Sequence, residues 1–150
     1  VMDKTIRIML ASFLMCALFC GCDWKDPIDE DIEGFWRLER FETRADGQMH
    51  ECERMYYSIT RMVVEVAEKQ GPHGYGAYIA RFEYKDGRKK VVMRDFKVRG
   101  NTSDTHVDAT IEQLLPFGMN ATTTEFEVVI ADGDNLVLRS DYATLQLKRF

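Results

Sequence analysis

Proline and histidine are scarce in this chain, three of each among 150 residues, and of four cysteines only Cys52 lies beyond position 22. His50, His73 and His106 are far apart and fall in stretches that read as loops. With a single distant thiol they cannot assemble a metal site or an acid–base pair, and the same thiol count leaves no internal disulfide. There is no Gly-x-Ser-x-Gly elbow, no His-Glu-x-x-His helix and no glycine-rich phosphate loop, so the common hydrolase and nucleotide-binding signatures are missing. Basic charge is not in excess either: the net charge is -5 and the isoelectric point about 5.2, which excludes a nucleic-acid groove as the main surface. No catalytic residue, metal or cofactor is expected. What remains is 45% hydrophobic and 30% charged residues, the composition of one globular domain. A chain of this length buries about 68–70% of its unfolded surface and needs no covalent staple.

The first apolar run is short. A basic start, Lys4 and Arg7, precedes an uncharged stretch from Ile8 to Cys20. As a helix it would rise about 20 Å, less than the ~30 Å of hydrocarbon that a permanent span must cross, and it therefore reads as a signal peptide over residues 1–21. The run ends in Leu18-Phe19-Cys20-Gly21-Cys22 and turns polar at once. This ending resembles a bacterial lipobox, which implies acylation of Cys22 after cleavage behind Gly21. An acylated Cys22 implies an exported protein held in a bacterial envelope membrane by its lipid chains, with the bilayer as its first partner.

Residues 22–33 contain six acids and one base, whereas residues 34–150 contain 17 bases and 18 acids. The acidic excess belongs to a short segment around Pro27, expected to be an extended, solvated tether. An acidic stretch after the acylated cysteine resembles surface-export signals of some Gram-negative lipoproteins. Asp23 directly after Cys22 resembles the inner-membrane retention rule of others, and a plain spacer is the third reading. Outer-membrane residence is the expectation.

From Gly34 onward a period of two dominates. Trp36 and Leu38 alternate with polar neighbours, as do Met62, Val64 and Val66. Tyr78, Ala80, Phe82 and Tyr84 precede an Asp86-Gly87 hairpin turn and the set Val92, Arg94, Phe96 and Val98. Phe126, Val128 and Ile130 lead through Asp132-Gly133 to Leu136 and Leu138, and Leu145 with Leu147 forms a last strand. Thr110 to Gln113 has capping-box spacing, so a short helix is expected, with Ile111, Leu114 and Leu115 on one face and Pro116 ending it. The fold class is all-β with one short helix, about seven or eight antiparallel strands that must close or stack to bury one face.

Gly34-Phe35-Trp36 near the presumed mature end is similar to the Gly-x-Trp that opens lipocalin-type barrels. Leu145-Gln146-Leu147-Lys148-Arg149 stands where such barrels place a cation over that tryptophan. The resemblance implies an antiparallel meander barrel over residues 34–150 in which Arg149 covers Trp36 as a closing pair. With Leu114-Leu115-Pro116-Phe117-Gly118-Met119 and Phe126-Glu127-Val128, the body looks like the small lipocalin-like domains of Gram-negative lipoproteins, whose function is unassigned. Tyr57, Tyr78, Phe82, Tyr84 and Phe96 are the candidate interior aromatics. In one reading they line a cup for a small apolar ligand, and the open rim docks an envelope protein. In the other they fill an interior barely wide enough for its own side chains, leaving a structural or interaction subunit without a ligand.

Overall fold

The computed structural model describes residues 3–4 and 26–150. Cys22 and the leader, apart from Asp3 and Lys4, lie outside the described residues. Among the described residues ten strands follow in order: β1 (Gly34–Thr43), β2 (Met49–Glu51), β3 (Met55–Ile59), β4 (Val63–Gly71), β5 (Gly74–Lys85), β6 (Lys90–Arg99), β7 (Asp104–Asp108), β8 (Thr123–Ala131), β9 (Asn135–Arg139) and β10 (Ala143–Arg149). A single helical turn, α1 (Ile111–Leu114), runs into a 3₁₀ turn at Leu115–Phe117 between β7 and β8.

The sheet order is β10-β9-β8-β6-β5-β4-β3-β1, and β1 pairs in turn with β10, so eight antiparallel strands close a barrel. β2 extends the pairing along the far half of β1, and β7 folds back on the end of β6. Closure removes the exposed edges that an open sheet of this size would present. The expected meander barrel is what forms.

Two ends of the barrel differ. At the seam end, Trp36 of β1 lies opposite Arg149 of β10, beside the turns after β3, β5 and β8. At the other, the helical end, α1 and the 3₁₀ turn lie across the opening. Leu114, Phe117 and Met119 drop from this segment into the core, and the Tyr57 hydroxyl donates to the carbonyl of Phe117 at 2.5 Å. The capping box holds the turn in place: Thr110 Oγ1 accepts from the Gln113 main chain, and Gln113 Oε1 accepts from the Thr110 N–H. Of the apolar face expected for this helix, only Leu114 is buried; Ile111 and Leu115 face solvent. The α-helix ends just before Pro116, as expected, and Pro116 lies near the start of the 3₁₀ turn that follows, where its missing N–H costs nothing.

Strand phase departs from simple alternation in three places. In β6 the buried residues are Val91, Met93 and Phe96, not Val92, Arg94, Phe96 and Val98 as one set. Asp95 takes a left-handed φ of 59°, and the pairing slips between Ile79 and Arg81. One extra residue in a bulge moves the inward phase by one. A second slip, between Val128 and Ile130 of β8, leaves Phe126 buried and Ile130 exposed. Met62, expected inward with Val64 and Val66, sits in the turn before β4 and is 70% exposed. His50 and His106 also prove to lie in short strands rather than loops, and His50 stacks on Phe41 with ring centroids 4.7 Å apart.

The bulge makes a sharp prediction. Met93→Ala should cost about 2–5 kcal/mol as a buried truncation, while Val92→Ala should cost below about 1 kcal/mol. Urea denaturation of the two variants checks the order, which unbroken alternation would reverse.

Candidate functional site

Arg149 organises the seam end. Its Nε donates to the carbonyl of Gly133 at 2.6 Å, one terminal nitrogen to that of Glu33 at 2.9 Å and the other to that of Glu30 at 2.8 Å. The guanidinium carbon stands 4.1 Å from the ring centroid of fully buried Trp36. Trp36 Nε1 donates to the carbonyl of Ile32, so indole and guanidinium hold the same segment from two sides. A Cβ on Gly34, whose φ is 149°, would stand 1.8 Å from an Arg149 nitrogen. The glycine before Trp36 is therefore the space through which the guanidinium passes.

The end of the acidic segment is drawn into this lock rather than being extended and solvated throughout. Ile32 is 1% exposed and belongs to the core. The carboxylate of Glu33 accepts from the main-chain N–H groups of Ile28 and Asp29 and from the Tyr84 hydroxyl at 2.8 Å. Burial, and then this bond to Glu33, hold the Tyr84 phenol above its ordinary range. An apolar residue and a carboxylate with three donors outweigh the like charges around them.

The five candidate aromatics do not meet in one cup. Tyr57, Phe82 and Phe96 are buried inside the barrel, packed with Trp36, Phe117 and Phe126. Tyr84 belongs to the seam end. Tyr78, half-buried, reaches the helical end and meets Phe117 edge to face at 6.1 Å.

There, between α1 and the β4–β5 hairpin, lies a cleft of about 250 Å³ lined by Glu68, His73, Tyr75, Gly76, Tyr78, Glu112, Gln113, Pro116 and Phe117. Glu68 follows Val64 and Val66 in the inward phase of β4 and is 5% exposed. His73, in the hairpin turn, clasps it: the His73 N–H donates to Oε1 at 2.5 Å, and Nδ1 lies 2.9 Å from Oε2. On β5 the pairing with β6 begins at Tyr78, so among the described residues Gly74 to Ala77 have no strand partner on that side and the sheet opens beside the cleft. Gly76 faces Glu68 across β4 and β5 and fills none of the gap. Among the described residues, no group of three His, Cys, Asp or Glu could hold a metal ion, and no helix is long and apolar enough to cross a membrane.

The sequence of this closed eight-stranded barrel matches the family model of a lipocalin-like domain over residues 17–150. The chain belongs to the lipocalin-like domain family. Two solved structures share the fold. One is a lipocalin-like protein from Bacteroides uniformis ATCC 8492, 16% identical, covering 80% of this chain and 99% of that one with a TM-score of 0.58. The other is an uncharacterized protein from Bacteroides eggerthii DSM 20697, 13% identical, covering 79% and 98% with a TM-score of 0.55. A search of curated proteins finds no match. This lipocalin-like domain therefore has a settled fold.

Sequence reasoning did not single out Glu68, read Glu112 and Gln113 only as part of a helix cap, and gave His73 no role beyond an exposed loop. The signal was present for one of them: an acid in the inward phase after Val64 and Val66 breaks the apolar pattern where a strand should still be buried.

Replacing Arg149 with Met should destabilise the chain by about 2–4 kcal/mol, since three carbonyls lose a charged donor. Gly34→Ala should act on the same lock, and the double variant should lose less than the sum in a denaturation cycle. Burial, with smaller contributions from Glu51 and Glu68, raises the Cys52 thiol to about 12. The folded chain holds that proton more tightly than the unfolded one, so this contribution to stability is lost as pH rises from about 9 through about 12. Alkylation of Cys52 by iodoacetamide near neutral pH, read by peptide mass spectrometry, should therefore be slow in the folded chain and rapid in denaturant.

Proposed function

We propose that this chain is a lipid-anchored protein of a bacterial envelope, held at the outer membrane through acylated Cys22, whose lipocalin-like barrel is a non-catalytic binding module. The binding surface is the cleft at the helical end, where a small ligand or an envelope partner meets the rim. The observation that carries this reading is the filling of the barrel: the interior is occupied by the protein's own side chains and the seam end is tied shut by Arg149. Beside that filled interior the fold leaves a concave gap between α1 and the β4–β5 hairpin. The anchor is supported by the Leu18 to Cys22 pattern and by the polar turn that follows it.

A packed interior also favours a second reading, a structural or interaction subunit without a small ligand. Denaturing the purified chain and analysing the extract by mass spectrometry separates them. About one equivalent of a released small molecule fits the module, and a clean extract together with stable capture of one envelope protein fits the subunit.

Cys22→Ser should leave the domain folded but move it out of the membrane fraction, with no incorporation of labelled palmitate. Label entering the variant would sink the anchor assignment.

A further inference from the structure

We infer that the helical-end cleft takes a small organic cation, an ammonium group carried on an aromatic or apolar body; this rests on the binding-module reading and names its ligand class. The lining carries two carboxylates, Glu68 and Glu112, and neither a lysine nor an arginine. Glu68 is nearly removed from solvent, so its charge is weakly screened, and the nearest cationic partner is His73, which is charged only when protonated. A carboxylate offers about four acceptor positions, and His73 occupies two of them. The others remain for a second donor.

The rest of the lining suits the body of such a ligand. Tyr75, Tyr78 and Phe117 present aromatic surface, which attracts an ammonium through the face of the ring. The Tyr78 hydroxyl makes no hydrogen bond to another described residue and is free to orient a guest. Gly76 keeps the wall open: a Cβ there would stand 3.0 Å from that hydroxyl. At about 250 Å³ the space lies below the usual range of drug-sized pockets, roughly 300–1,000 Å³, so the guest is a small amine and not a long lipid. A carboxylate or phosphate of the same shape meets two like charges and is rejected.

Titration of the ¹⁵N-labelled full chain, in nonionic detergent, with phenethylammonium, phenylacetate and 2-phenylethanol tests this. The cation should give saturable shifts at the amides of Gly76 and Gln113, and phenylacetate should bind at least about tenfold more weakly. Glu68→Gln should weaken the cation about tenfold and leave 2-phenylethanol unchanged. Glu112→Gln, on the exposed face of α1, should weaken it less, and added salt should weaken it too; these serve where Glu68→Gln disturbs the hairpin. Binding of phenylacetate or 2-phenylethanol as tight as that of the cation overturns the ligand class while leaving the binding module standing. If none of the three probes moves an amide of the cleft, the ligand class fails, and the module reading falls with it only when the denatured extract is also free of any small molecule.

Discussion

A guanidinium threaded over a glycine holds this barrel closed. Arg149 reaches past Gly34, covers the indole of Trp36 and gives its donors to three carbonyls, two of them in the segment that leads into β1. All three carbonyls lie outside the strands, where no ladder supplies a donor to them. The arrangement joins the first strand, the last strand and the β8–β9 turn at one point. It makes the residues before β1 part of the folded body and removes one end of the barrel from any role as an entrance.

With one end shut, the interior has to be either a cup or a core. Eight short strands enclose a space about as wide as the side chains that point into it. Trp36, Tyr57, Phe82, Phe96, Phe117 and Phe126 supply that bulk, and the bond from Tyr57 to the Phe117 carbonyl holds the helical segment down on it. The cleft beside α1 therefore lies at the rim of the barrel and not inside it. There, one inward carboxylate outlasts the apolar pattern of β4, and the sheet parts beside β5.

Much of this was legible in the residues. Alternation placed most strands, aspartate–glycine pairs placed two hairpins, and Thr110 with Gln113 announced the helical turn. Gly34, Trp36 and Arg149 stood in positions from which a closing pair could be expected. The misplacements in β6 and β8 share one cause. A bulge carries no strong residue signature when an aspartate supplies the left-handed angle, yet it reverses every side chain beyond it, as Asp95 does in β6. Ile32 was hidden for a different reason, because a single apolar residue among acids looks solvated until a partner such as Arg149 is brought to its backbone. Which aromatics share a space depends on closure of the sheet, and that is not written in any local pattern. Tyr84 and Tyr78 share a face of β5 and end at opposite mouths.

The seam between β1 and β10 also orders events in time. Its register pairs Trp36 with Arg149, residues more than a hundred positions apart, so the loop that must be closed spans nearly the whole domain. The hairpins from β3 to β6 have their partners close at hand in the sequence. The indole of Trp36 does not, and it stays uncovered until the final strand arrives. Completion of the barrel is thus deferred to the pairing of β1 with β10, and a chain that has not reached it presents an open sheet with an oily face, the form best suited to capture by a chaperone before closure.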